Sequence, residues 1–394
     1  MPNYSEYSRK YQDELLHNIL PFWIKNSNDE EHGGYFTCVD RKGKVYDTDK
    51  FIWLQARQVY TFSFMFNHVG ANDLWLGFAF QGSGFLQRHG RDSNGNWYFS
   101  VDQMGKPLVQ PYNIFSDCFS ALAFGSMYKA TDIDEFAEIS RDTFSNILSR
   151  RSNPKGIYSK GISSTRILKN SSMPMIMCML LQEIETLLDN TLVNELYDEC
   201  IHELTETFYD HDTGILFENV DANGNFSDTM DGRLICPGTI VEGMWFIMDL
   251  AEKRGDKALI EKASKIVLST MEYGWDTEYG GLYYFMDYKG HPLQQLEGDQ
   301  KLWWVHVEAL ISLLKAFYLT KKIEYWNWFV KVHDYTWKHF PDKEHGEWFG
   351  YLNRQGEVNL SLKGGKWKGC YHIPRALYQC WQTLEKLSQN EKQV

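Results

Sequence analysis

His372 is the residue of this chain best placed to move a proton. It lies in GCYHIPRAL, two residues before Pro374, which suits the first position of a helix. The positive end of a helix disfavours imidazolium, so this ring is expected to stay neutral and basic near pH 7. Arg375 falls in the same first turn, an unfavourable place for a cation unless an anionic or hydroxyl-rich ligand meets it there. Glu308, in KLWWVHVEAL, is a carboxylate on an otherwise apolar helix, costly to bury unpaired. Arg57, in WLQARQVY, is the partner expected for it. Trp304 lies four residues before Glu308 and shares its face, whereas His306 falls on another face and is expected to support the site from behind. Trp303, Trp304 and Trp367 offer flat apolar surfaces of the kind on which sugar rings stack. In PGTIVEGMWF, Thr239 and Glu242 read equally as a capping box and as a hydroxyl and carboxylate that face a ligand.

Each of these residues also has a plain structural reading. His372 would tie down a loop, Glu308 would sit in an internal ion pair, and the tryptophans would be core. The basic loop KGGKWKG, Lys363–Gly369, would hold an anion through backbone N–H groups or merely connect two elements. There is no phosphate-binding GxxxxGK, no dinucleotide GxGxxG, no HExxH and no clustered set of metal-ligating histidines, so no metal is expected.

What must position these residues is a repeat. A glycine followed by aromatics, a short polar stretch and another glycine recurs six times, as HGGYFTCVDRKG, NGNWYFSVDQMG, KGIYSKG, TGILFENVDANG, YGGLYYFMDYKG and HGEWFGYLNRQG. The leading glycines, Gly34, Gly95, Gly156, Gly214, Gly281 and Gly346, recur every 58 to 67 residues. Such a period fixes architecture before any other feature does. Each signature reads as a β-hairpin. The stretches Lys50–His68, Asn113–Lys129, Ser171–Leu188, Pro237–Lys253, Lys301–Leu319 and Pro374–Leu387 read as helices buried on most sides. Ile133–Arg150 and Leu259–Tyr273 carry charges at helical spacing and read as outer helices. The expectation is an all-α (α/α)6 barrel with short β-hairpins between helix pairs, an open α-solenoid being the alternative. Inner-helix starts would then converge on one mouth, bringing Arg57, Asp117, Met175, Thr239, Glu242, Trp304, Glu308, His372 and Arg375 together: a sugar-like site.

The repeat runs end to end without a Pro/Gly/Ser linker, so residues 1–394 are expected to form one domain. A formal net charge of −12 argues against nucleic acid or an anionic membrane as partner. No apolar run approaches a membrane span, the first residues lack the apolar core of a signal peptide, and seven scattered cysteines suit reduced thiols in the cytoplasm.

The blocks KLWWVHVEAL, GEWFGYLNRQGEVNLSLKGGKWKGCYHIPRAL, DEEHGGYFTCVDRKGKVYD and KFIWLQARQVY resemble the N-acylglucosamine 2-epimerase family, which includes mammalian renin-binding protein, from about Glu14 to Leu387. The resemblance implies an (α/α)6 barrel, a homodimer, interconversion of N-acetylglucosamine and N-acetylmannosamine, and ATP as an unconsumed activator with no cofactor needed for the chemistry. It makes His372 a catalytic acid/base. Glu242, Glu308 and Arg375 would shape the substrate site, Arg57 would face the developing oxyanion, and Trp304 and Trp367 would stack the sugar. One departure stands out: the family motif is usually Pro-Gly-His, and here Pro237-Gly238 is followed by Thr239. Threonine is no base near neutrality, which leaves His372 alone, or helped by Glu242 if burial raises its pKa, or the activity lost or redirected. Related sugar isomerases tend to carry a histidine near the depth of Met175, so its absence favours the N-acyl hexosamine. An aldose–ketose isomerase, another sugar 2-epimerase, a glycoside hydrolase using Asp117, Glu242 and Glu308, and a non-catalytic binding protein are the alternatives.

Overall fold

The computed structural model describes residues 3–159, 162 and 165–391. Its helices are α1 (Tyr4–Glu14), α2 (Leu20–Asn26), α3 (Ile52–His68), α4 (Asp73–His89), α5 (Phe115–Thr131), α6 (Asp134–Arg150), α7 (Ser172–Ile184), α8 (Asn190–His202), α9 (Pro237–Arg254), α10 (Lys257–Gly274), α11 (Trp303–Thr320), α12 (Ile323–His339) and α13 (His372–Glu391). A π-helical turn at Leu15–Ile19 joins α1 to α2 in one rod. Among the described residues no helix is long and apolar enough to cross a membrane.

Two kinds of helix alternate. Along α3 every residue from Ile52 to Met65 is buried, and α9 and α11 are nearly as enclosed. A helix that is apolar all round must be surrounded. By contrast α6 buries Phe136, Ile139, Ser140, Thr143, Phe144 and Ile147, one stripe at helical spacing, and leaves acidic and basic residues outside. The enclosed helices α3, α5, α7, α9, α11 and α13 pack side by side in that order. The ring closes where α13 meets α3: the Phe64 and Tyr378 rings stand 5.0 Å apart, and Thr61 Oγ1 donates to the Cys370 carbonyl at 2.7 Å. On the outside, α1 packs against α13 and α12, with Tyr4 edge-on to Trp326 and the Tyr11 hydroxyl 2.8 Å from His333 Nδ1. This is the expected (α/α)6 barrel.

Inner-to-outer connections are short, while the outer-to-inner ones are long and build the mouth. The six leading glycines all have positive φ, from 52° at Gly156 to 82° at Gly95. The turns differ from the expectation in two ways. First, the short strands pair mostly between neighbouring repeats, Lys50–Phe51 with Ser100–Val101, Leu234–Ile235 with Met286–Asp287, and Lys301–Leu302 with Tyr351–Leu352. The mouth is stitched round its circumference. Second, the third signature is no hairpin: Gly156–Tyr158 is a 3-10 turn, and the last two residues of KGIYSKG lie outside the described residues.

A second repeated residue explains the difference. In five turns an aspartate precedes the glycine, and its carboxylate accepts backbone N–H groups of the turn: Asp29, Asp92, Asp210, Asp276 and Asp342. Ser152 holds that place in the third turn. Three of these aspartates also bind a fully buried lysine, Asp29 with Lys50 (2.7 Å), Asp276 with Lys301 (3.0 Å) and Asp342 with Lys363 (2.9 Å).

Candidate active site

The inner-helix starts surround a cavity of about 640 Å³ lined by Trp53, Arg57, Phe119, Ser172, Met175, Thr239, Glu242, Trp303, Trp304, Trp367 and His372, among others. Helix α13 begins at His372 rather than at Pro374, so the histidine occupies the first helical position itself.

His372 Nδ1 lies 2.8 Å from Glu308 Oε1. A carboxylate only accepts, so the proton sits on Nδ1, and Nε2 is the basic nitrogen. Burial, and then the charge of Arg57, hold this imidazole well below its ordinary pKa, so it is neutral near pH 7. Glu308 is completely buried and fully engaged: Oε1 also accepts from Arg375 at 2.7 Å, and Oε2 accepts the Trp245 indole N–H at 2.8 Å. Arg375 binds Glu242 through the same terminal nitrogen and donates to the Tyr371 hydroxyl at 2.7 Å. One guanidinium thus joins carboxylates on α9 and α11 to the histidine on its own helix. Glu242, Glu308 and His372 offer ligand atoms within 4.8 Å of one another, close enough for a cation. Arg375 already bridges both carboxylates, which makes this a salt-bridge hub.

Arg57 is not the partner of Glu308. Its guanidinium is enclosed by the rings of Phe119 (3.9 Å), Trp53 (4.4 Å) and Tyr371 (4.5 Å), and it makes no hydrogen bond or ion pair among the described residues. Burial pulls its pKa down to about 10, still protonated near neutrality. A cation held on π-faces, with its donors unpaired, can meet an oxygen that gains charge.

Other expectations are corrected. Thr239 is not a helix cap: α9 starts at Pro237, Cys236 precedes it without a side-chain cap, and Thr239 lines the cavity from the first turn. The capping-box pattern is fortuitous because proline sets the start two residues earlier. Gly238 beside it is required by packing, since a Cβ there would come within 2.5 Å of the Trp304 ring. His306 does not touch the cavity. Its Nε2 accepts the Leu282 N–H at 3.0 Å, its Nδ1 faces the Leu302 carbonyl at 2.7 Å, and burial drives its pKa to about 3. It anchors the fifth turn. Asp117 also lies outside the cavity, paired with Arg150 at 3.0 Å, its pKa raised by burial to about 7. In the basic loop two lysines are committed to carboxylates, Lys363 to Asp342 and Lys368 to Glu347, each at 2.9 Å. Trp304 and the half-exposed Trp367 both line the cavity, Trp367 leaning on Trp53 at 5.8 Å.

Sequence reasoning missed the aromatic cage of Arg57 and the placing of Ser172, which opens α7 on the cavity wall. The cage was findable, since Trp53 lies one helical turn before Arg57 and Tyr371 adjoins His372. The Ser172 signal is weak, a lone hydroxyl at a helix start.

Residues 34–376 match the family model for N-acylglucosamine 2-epimerase (GlcNAc 2-epimerase). The N-acylglucosamine 2-epimerase of Mus musculus is 35% identical over 97% of this chain and 93% of its own length, and that of Rattus norvegicus 35% over 95% and 91%. The solved cellobiose 2-epimerase from Bacillus thermoamylovorans superimposes with a TM-score of 0.83 over 97% of this chain and all of its own, at 21% identity.

Proposed function

The chain belongs to the N-acylglucosamine 2-epimerase family, and from that premise we propose that it interconverts N-acetylglucosamine and N-acetylmannosamine, with His372 and Arg57 at the reacting atoms. The observation that carries this reading is the juxtaposition in one cavity of a neutral histidine and an unpaired guanidinium.

Inverting C2 of a sugar requires a proton to leave carbon, which is practicable only next to a carbonyl. The ring therefore opens to expose C1 as an aldehyde. His372 Nε2 takes the C2 proton, and the electron pair moves into an enolate whose oxygen faces the Arg57 guanidinium. Glu308 holds the tautomer and favours the imidazolium that forms. Glu242 and Arg375 keep Glu308 in place, so their role is to fix the base. Met175 gives this wall an apolar side chain that suits the acyl methyl group. Trp304 and Trp367 provide the stacking surfaces. The reading extends to a cytoplasmic homodimer activated by unconsumed ATP; seven buried, unpaired cysteines support a reducing compartment.

The test is proton NMR of the protein with N-acetylmannosamine in D2O, with and without ATP. Appearance of N-acetylglucosamine carrying deuterium at C2 is the expected result. Folded protein that yields neither exchange nor product would refute the assignment.

A further inference from the structure

Epimerisation, unlike isomerisation, must return the proton to the face opposite the one that lost it. His372 serves one face. In a ring of six inner helices, α7 stands directly across from α13, and Ser172 opens α7 as His372 opens α13. Both residues line the cavity. The hydroxyl of Ser172 is not idle: its Oγ donates to Glu218 Oε1 at 3.1 Å. Asn170 Nδ2 donates to the same oxygen at 3.3 Å, and the Ser171 N–H donates to the Glu218 carbonyl at 3.0 Å, so the carboxyl is held against the start of α7. Oε2 is shut off from solvent and has no hydrogen-bond partner among the described residues. Burial raises the pKa of this carboxyl, an effect that Ser172, Asn170 and Thr239 only partly offset. A buried carboxyl with one unmet oxygen, joined to a hydroxyl that opens on the cavity, can pass a proton to and from that hydroxyl.

We propose that Ser172 delivers the second proton of the epimerisation, on the sugar face away from His372, with Glu218 behind it as the group that supplies and recovers that proton. The proposal rests on the epimerase reading above. The step uses the protonated form of Glu218, in which the 3.1 Å bond reverses and Oε1–H donates to Oγ, freeing the Ser172 proton for the cavity. As the enolate electron pair forms a new C–H bond at C2, the Ser172 O–H bond breaks and Oγ takes the proton from Oε1. This leaves an imidazolium and a carboxylate, both reset by exchange with water. In the reverse direction the Glu218 carboxylate draws the Ser172 proton as Oγ takes the C2 proton, and His372 protonates the other face. Ser172 meets carbon, whereas Glu218 acts through it as a positioning residue.

The experiment follows epimerisation and C2 deuterium exchange separately, by NMR in D2O, starting from each of the two amino sugars. It compares the wild type with Glu218→Gln, Ser172→Ala and Glu195→Gln, the last removing an exposed carboxylate on α8 away from the cavity. Unfolding midpoints accompany each variant. Expected for Glu218→Gln and Ser172→Ala is an epimerisation rate lower by about 100-fold or more. Exchange should persist in the one epimer whose C2–H faces His372, and Glu195→Gln should leave both readouts near wild type. Epimerisation within about threefold of wild type in Glu218→Gln or Ser172→Ala would overturn the proposal. So would equal loss of exchange and epimerisation in folded Glu218→Gln or Ser172→Ala, or an equal loss of epimerisation on Glu195→Gln. A wild type inert on both sugars would instead refute the epimerase reading.

Discussion

The mouth of this barrel has an ionic arc and a hydroxyl arc. Turns one, five and six carry buried lysine–aspartate pairs, and beneath them lie Arg57, Glu308, His372 and Arg375. Turn three has Ser152 where the others have aspartate, a 3-10 turn where the others have an antiparallel bridge or hairpin, and exposed Ile157 and Ile167. The wall after it presents Ser172 and Met175 to the cavity. A repeated unit has thus been specialised unevenly. Buried pairs stand where full charges must be held in one geometry. Where the cavity wall is made of hydroxyl and apolar groups, the turn is built from weaker parts.

The contrast can be broken at its strongest point by His372→Ala, which should cut turnover about 10²–10⁴-fold with the urea midpoint unchanged. A rate near wild type would remove the ionic arc from the chemistry. Next in size is Lys50→Met, which strands the buried Asp29 carboxylate and should lower unfolding free energy by about 3–5 kcal/mol. Arg151→Met, which breaks the half-exposed pair with Glu199 beside turn three, should cost under about 1 kcal/mol. Equal losses in urea titration would erase the distinction. Acid should find the ionic arc through His306, whose pKa is about 3 when folded, against an ordinary 6.5 for a solvated imidazole. Below pH 6.5 the unfolded chain binds the proton and the folded one does not. Stability is therefore complete above that pH and falls towards pH 3, by about 2 kcal/mol at pH 5 from this group. His306→Gln should flatten that slope in urea midpoints measured against pH; an unchanged slope would assign it to other groups. The smallest effect is a gain: Ser152→Asp should supply the missing turn acceptor and raise stability by about 0.5–1 kcal/mol. No gain in the midpoint would mean that turn three cannot take the shape of the others.

Much of this was legible in the sequence. Burial on all sides wrote the inner helices into the chain as uncharged stretches, and positive φ wrote the mouth turns as glycines, so the barrel followed from spacing. Aspartate before those glycines recurs in five of the six turns, yet it carries little signal by itself because acidic residues are common on surfaces. Partners were harder to read than positions. Arg57 and Glu308 are both charged and buried, but which residues they meet depends on how helices about 250 residues apart are rotated, and periodicity does not carry that. The Thr-x-x-Glu of α9 misled because a cap depends on where a helix starts, and Pro237 decided the start. The joining of Glu218 to Ser172 arises from pairing between Leu168–Asn170 and Asn219–Asp221, a contact between neighbouring turns that no local pattern announces.

Arg57 comes from the first inner helix and Tyr371 and His372 from the last, and they meet only because α13 closes the ring against α3. During synthesis at about 5–20 residues per second, Arg57 is made long before Tyr371, the last of the three rings that enclose it, and before His372. Until the final inner helix is made the ring stays open between α11 and α3, and neither Tyr371 nor His372 is in place. A chain stalled short of α13 would hold most of the fold's helices but lack His372, Arg375 and the closing wall of the cavity, so an incomplete copy has no assembled site.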